Sequence, residues 1–143
     1  MVGDVPDGLK KTVKKQENKI NWLGVVDHAR IPELDRSAHL LFSADVNAAC
    51  PNSVIEAMAC GLPVLGFDTG SLAELVQGDA GKVVPYDGDV WRLEKPSTVG
   101  LTKAAQEILL DQQRFRQSAR EVAEACFGLD QMTERYLDVL TGK

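Results

Sequence analysis

The sequence predicts an α/β domain built on a small parallel sheet, with a helical C-terminal region packed against it. Three observations lead there. From Ile20 onward short apolar runs alternate with helix-like segments, the pattern of βαβ units. Each run is bounded by Gly, Pro, Asp or Asn and is short enough to be a strand buried on both faces. From Leu101 to Leu140 the apolar residues change to three- and four-residue spacing, the period of helices lying on a core.

Taken in order, Met1-Val2-Gly3-Asp4 reads as the tail of a strand whose beginning is absent, so the chain looks like an excised piece. Leu9 to Glu17 is the first predicted helix; Lys10, Lys11, Lys14, Lys15 and Lys19 make a basic stripe of the kind a solvated helix face carries. The predicted strands are Ile20 to Leu23, His39 to Phe42, Pro63 to Phe67 and Lys82 to Val84. Between them lie helices over Ile31 to Ser37, Asn52 to Cys60 and Ser71 to Val76. Tyr86 to Val99 carries turn formers and charges. Leu101, Ala104, Ala105, Ile108 and Leu109 then mark one core-facing helix, and Phe115, Ala119, Val122 and Ala123 a second. Phe127-Gly128 is expected to end that helix as a glycine C-cap, with Asp130 helping to cap a third, so a helical pair or triplet packs on the sheet.

A chain of 143 residues, 44% hydrophobic and 26% charged, has the length and composition of one compact domain, and a second independent domain is not expected. No run approaches the roughly 18 apolar residues of a membrane span, and the N-terminus lacks the basic-then-apolar order of a signal peptide. A cytoplasmic protein is expected. The net charge of −5 is spread along the chain, which argues against nucleic acid as a partner. Peripheral contact of a basic patch with a membrane stays open. Cys50, Cys60 and Cys126 show neither C-x-x-C spacing nor an even count, so they are expected as reduced thiols that mostly fill the core. His28 and His39 lie far from any Cys or Glu pattern that would bind a metal, and His39 reads as structural.

Chemistry is concentrated in Cys50 to Val64, read as a loop, a short helix and the next strand. Pro51 suits the first helical turn, Asn52 or Ser53 can cap it, and Gly61 ends it. The helix start would sit at the carboxyl edge of the sheet, where open α/β folds place ligands. Free N–H groups and the positive end of the helix dipole make it a site for phosphate or diphosphate. Between Arg36 and Lys82 there is no Lys or Arg, so an anion held here must use backbone amides and cations from elsewhere. Glu56 has two readings. A carboxylate can grip the vicinal hydroxyls of a ribose, or it can simply stabilise the helix start by up to about 1 kcal/mol. A second loop, Asp68-Thr69-Gly70-Ser71, could cradle sugar or phosphate oxygens through its amides, with Glu74 following as a ligand or as another helix-start carboxylate.

In this order the motifs resemble the C-terminal domain of GT-B glycosyltransferases of group 1, or family 4, over nearly the whole chain. Val2-Gly3-Asp4-Val5-Pro6 resembles the family's strand-end glycine motif, and Ile20-Asn21-Trp22-Leu23-Gly24 its next strand and turn. Pro51 to Val64 is close to its most diagnostic run, and Asp68 to Val76 looks like the glycine-then-glutamate element after it. The resemblance implies a Rossmann-like three-layer domain, one half of a GT-B fold lacking its first strand-helix unit, with residues 1–143 as a partial nucleotide-sugar-binding domain. It implies that Glu56 grips the donor ribose, and that Asn52, Ser53, Val54, Thr69, Gly70, Ser71, Leu72 and Glu74 meet the donor diphosphate and sugar. The implied reaction transfers sugar from a nucleoside diphosphate sugar with retention, and no metal or other cofactor is implied.

Two departures follow from the same resemblance. Ala48 stands eight positions before Glu56, where the family has a first glutamate, and Asp45 or Asn47 could substitute only if the loop differs. The family's basic residues that neutralise the diphosphate belong to a strand-helix unit upstream of residue 1, and the acceptor-binding N-terminal domain is absent too. The resemblance therefore implies weak donor binding, no catalytic residue within the chain and no transfer by it alone. The alternative is a catalytically degenerate GT-B domain with a structural or interaction role.

Overall fold

A computed structural model describes residues 7–15 and 20–142. Met1 to Pro6, with the expected strand end and glycine motif, lie outside the described residues, as do Gln16 to Lys19. The chain divides into two compact units, residues 1–34 and 35–143.

In the first unit α1 spans Asp7–Lys14, with Asp7 in the first turn where a carboxylate suits the helix dipole. Lys11 and Lys15 are exposed, as a solvated face requires. Ile20 to Leu23 is not a strand, which corrects the expectation from sequence. A strand of a parallel sheet is stabilised by burial on both faces, whereas Leu23 is 46% exposed and the run joins no ladder among the described residues. A 3-10 turn over His28–Arg30 follows, started by the Asp27 carboxylate accepting the Ala29 N–H at 2.9 Å. It leads directly into α2, Ile31–Ser37.

The second unit holds the sheet: β1 Leu41–Ser43, β2 Val64–Phe67 and β3 Gly81–Val84, all parallel, in the order β1-β2-β3. Its crossovers are α3, Asn52–Ala59, and α4, Leu72–Leu75. After β3 come α5, Val99–Leu110, α6, Gln112–Cys126, and α7, Leu129–Thr141. Successive residues of a strand face opposite sides, and β2 uses both. Val64 packs with Val54 and Met58 of α3, Leu72 and Leu75 of α4, and Ala119 and Ala123 of α6. Leu65 packs on the other side with Ala104 and Ile108 of α5 and with Phe115. Helices thus cover both faces, and the unit is the three-layer α/β arrangement expected.

The start of α6 carries Phe115, fully buried and flanked by Lys82 Nζ at 5.5 Å and Arg114 Cζ at 4.7 Å from the ring centre. The same helix latches the amino edge of the sheet. Arg116 donates to the carbonyls of Ala38 at 2.8 Å and Arg36 at 3.2 Å, Gln112 Nε2 donates to His39 O at 2.6 Å, and Arg120 donates to Ala59 O. These side chains satisfy carbonyls in the last turns of α2 and α3 and just before β1. Gly61 closes α3 in the left-handed region at φ +68, and a Cβ there would stand 3.3 Å from Arg116 O.

The C-terminal region differs from expectation in detail. Gly128 has φ −63 and begins α7 as its N-cap, while Phe127 ends α6, so the expected glycine C-cap is not formed. Asp130 does fall in the first turn of α7. Only α5 and α6 pack on the sheet; α7 buries no residue, and Leu109 at the end of α5 is 50% exposed because its spacing carries it off the core face. The thiols do not fill the core either. Cys50 lies in the loop before Pro51 and Cys126 on the outer side of the last turn of α6, both exposed, and Cys60 is half-buried. No helix among the described residues is long and apolar enough to cross a membrane.

Candidate functional site at the carboxyl edge

Because the strands are parallel and adjacent, the loops after β1 and β2 emerge side by side at the carboxyl edge. They are bolted together through backbone. Ala48 O accepts both the Ser71 N–H at 3.0 Å and the Ser71 hydroxyl at 3.2 Å, and the buried Thr69 hydroxyl donates to Asp45 O at 3.4 Å. Between them Gly70 sits at φ +57, and a Cβ there would fall 2.4 Å from Ala48 O and 2.7 Å from Ala48 N. Only glycine fits, both for the left-handed backbone and for the space.

The start of α3 follows the first of these loops directly in the chain and has little of its own to satisfy it. Pro51 occupies the N-cap position with φ −75 and ψ 99 and makes no side-chain cap, so neither Asn52 nor Ser53 caps the helix as expected. Asn52 is instead the first helical residue, since Pro51 has already taken the half-in position with its extended ψ. The Val54 N–H is used, donating to Pro51 O at 2.9 Å. The amides of Asn52, Ser53 and Gly70 have no acceptor among the described residues, and Asn52 and Ser53 are exposed. Two unsatisfied N–H groups on the positive end of a helix form a place where an anion is stabilised.

The remaining candidates divide. The Val54 and Leu72 side chains lie in the core, so they fix the site rather than line it. The Thr69 and Ser71 amides are spent on Phe67 O and Ala48 O, which reduces the expected cradle of donors in the second loop to Gly70. Glu74 is exposed in the first turn of α4. Glu56 is exposed one turn into α3, and it lies near Asp35 of α2. Burial pushes the Asp35 carboxyl above its ordinary value, the Glu56 carboxylate adds to the rise, and Arg36 opposes it. Sequence reading missed Asp35, because nothing local marks it and only the folding of residues 35–143 brings the two acids together.

The cations that touch these elements, Arg116 and Arg120, bind carbonyls at the amino edge, the opposite end of α3. A polar groove of about 500 Å³ lined by Asp79, Asp111, Arg114, Gln117 and Glu121 also begins beside the amino end of β3, and its arginine is already paired with two of its carboxylates. The carboxyl edge is therefore an amide-lined surface with acidic flanks. Among the described residues no group of three His, Cys, Asp or Glu is arranged to hold a metal ion.

Residues 1–94 match the family described as "Glycosyl transferases group 1". The chain is 25% identical over 122 residues to 2-deoxystreptamine N-acetyl-D-glucosaminyltransferase of Streptomyces fradiae, covering 82% of this chain and 27% of that protein. It is 27% identical over 132 residues to N-acetyl-alpha-D-glucosaminyl L-malate synthase of Bacillus anthracis, covering 89% of this chain and 32% of that protein. In fold it is similar to HepE of Anabaena, solved in complex with UDP, at a TM-score of 0.71 with 22% identity over 99% of this chain and 40% of that one. Sucrose-phosphate synthase of Thermosynechococcus elongatus gives the same TM-score, 0.71, with 22% identity over 94% of this chain and 34% of that one. The chain thus spans about a third of the curated relatives it matches, and the three-layer unit is the Rossmann-like half of the fold those structures share. With two thirds of its length inside the family match, this chain belongs to the group 1 glycosyl transferases.

Proposed function

We propose that the chain is the donor-binding part of a retaining glycosyltransferase that moves a sugar from a nucleoside diphosphate sugar to an acceptor. The observation that carries this reading is the uncapped start of α3, with the free amides of Asn52 and Ser53 following directly on the 45–48 loop that is bolted to residues 68–71. In this reading the diphosphate lies against Asn52, Ser53 and Gly70, Glu56 accepts hydrogen bonds from the ribose, and Glu74 flanks the sugar. Val54, Thr69, Ser71 and Leu72 hold that geometry. Charge developing on the leaving diphosphate would be stabilised by oriented amides already in place, the electrostatic contribution a rigid polar site supplies.

The same reading gives the chain no catalytic residue, no metal and no other cofactor. It assigns acceptor binding to an N-terminal domain outside this chain and makes residues 1–143 inactive alone, in a cytoplasmic enzyme. A second reading, a degenerate domain with a structural or interaction role, is favoured by one observation: Ala48 occupies the position where the resemblance calls for a glutamate, and its carbonyl is committed to Ser71.

Titration of the chain with UDP, GDP and ADP and their sugars, followed by amide NMR, tests the site. Shifts should concentrate at Asn52 to Glu56 and Thr69 to Leu72. Shifts confined to α5, α6 and α7 would contradict it.

A further inference from the structure

The loop from Pro85 to Thr98 connects β3 to α5 and is built around an exposed tryptophan. Trp91 is 83% exposed and Leu93 72% exposed. Yet the loop that presents them is heavily braced. The Asp89 carboxylate accepts the N–H groups of Trp91 at 2.9 Å and Arg92 at 3.2 Å, and the Glu94 carboxylate accepts the Asp89 N–H at 2.9 Å. The Tyr86 hydroxyl donates to Glu94 O at 2.6 Å, and the Ser97 N–H closes the neck onto Tyr86 O at 3.3 Å. Leu93 is held at φ 52, a left-handed backbone that a branched side chain adopts only when its surroundings enforce it.

Its neck adjoins the candidate site's edge. The Asp68 N–H donates to Val84 O at 2.8 Å, and the Tyr86 ring meets Phe67 edge-on at 5.2 Å, so the loop leaves the sheet beside the 68–71 loop. A large apolar ring held out in water on a backbone braced by so many bonds is a binding feature more readily than a folding one. Charged side chains stand on either side of Trp91 in the loop sequence. Asp87 is exposed, in the left-handed region at φ 56, with no partner for its carboxylate among the described residues; Arg92, the next residue after Trp91, is exposed, with its Nε 3.5 Å from the Asp89 carboxylate.

We infer that Trp91 is a stacking platform for a pyranose ring, whose hydroxyls are met by exposed charged side chains of the same loop, Asp87 and Arg92. A flat aromatic face suits the axial C–H face of a sugar, and charged groups at its rim suit the hydroxyls, which is how a site combines apolar contact with a few polar anchors. A lipid surface fits less well. The loop carries three carboxylates, Asp87, Asp89 and Glu94, against two cations, Arg92 and Lys95, and so repels anionic headgroups. The inference rests on the donor-binding reading, because it takes this sheet edge to handle sugars. Its occupant is a saccharide distinct from the nucleotide at α3.

The indole N–H resonance of Trp91, identified by its loss in Trp91→Phe, reports the test. Methyl glucopyranoside and N-acetylglucosamine, at millimolar concentration, should shift it saturably. Trp91→Ala should weaken saccharide binding about tenfold as read from the other loop amides, and Trp91→Phe, which keeps a ring, distinctly less. Both variants should leave UDP-induced shifts at Asn52 to Glu56 intact. An indole signal indifferent to both saccharides while UDP still shifts α3 overturns this inference and leaves the donor reading standing. A signal that moves with phosphatidylcholine vesicles and not with saccharides overturns it in favour of a lipid surface. Loss of both responses sinks the inference together with the reading it rests on.

Discussion

Gly70→Ala probes the junction on which the candidate site depends. The methyl group would stand 2.4 Å from Ala48 O and 2.8 Å from Asn47 C, distances no Cβ tolerates from backbone. The loops must part, and parting them breaks the bonds from the Ser71 amide and hydroxyl to Ala48 O. Two such bonds contribute about 1 kcal/mol each. Holding alanine at φ +57 costs roughly 1–2 kcal/mol more, so a loss of about 3–4 kcal/mol is expected. In urea, with a slope of about 1–3 kcal/mol per molar for a domain of this size, that lowers the unfolding midpoint by more than about 1 M. UDP-induced shifts at Asn52 and Ser53 should shrink in the same variant, because the surface opposite them has moved. Ser71→Ala, which loses only the hydroxyl bond, should cost about 1 kcal/mol and leave the titration nearly intact. A Gly70→Ala protein with the wild-type midpoint and unchanged resonances for residues 45–48 would refute the reasoning.

Two further outcomes are expected from the surrounding structure. Asp35 has a carboxyl raised above its ordinary 3.8, so the stability it contributes is fully present below that value and is lost as pH rises through its folded-state value. Asp35→Asn should therefore match wild type in acid and become the more stable of the two toward neutral pH; a stability difference that does not vary with pH defeats this. Arg116→Ala removes both donors to Ala38 O and Arg36 O, at a cost of about 1–3 kcal/mol in thermal or urea unfolding. Arg116→Lys should rescue little, because one ammonium does not reproduce the guanidinium fork, and full rescue by lysine would show that charge rather than geometry matters.

The strands from His39 onward, α3 and the two packed C-terminal helices were legible because their signals are local: apolar runs between turn residues, and helical spacing in Phe115, Ala119 and Ala123. What was not legible depended on partners distant in sequence. Ile20 to Leu23 has the composition of a strand, but strandhood requires a neighbour in a ladder, and no local rule supplies one. The periodic apolar face of α7 likewise predicts a helix and does not say whether anything covers it. At the site, Asn52 to Glu56 stand where the motif put them, while the role of Ala48 as the acceptor for Ser71 and the approach of Asp35 to Glu56 arise only when two loops and two helices meet.

That role for Ala48 also separates the two functional readings. Its carbonyl holds the junction, whereas its half-buried methyl contributes no bond, so replacing the side chain leaves the bolting intact. Ala48→Glu should thus fold with unchanged resonances at Gly70 and Ser71, and differ from wild type by one carboxylate on the loop beside the start of α3. If the donor sugar lies there, the carboxylate accepts hydrogen bonds from its hydroxyls, and charged hydrogen bonds of this kind strengthen binding by roughly tenfold. The gain should appear for UDP-glucose and be absent for UDP, which has no hexose. Equal affinity of wild type and variant for both ligands, in a protein whose junction is undisturbed, would mean that no sugar reaches this loop. The domain would then be better described as a scaffold that has kept the family's backbone and lost its ligand.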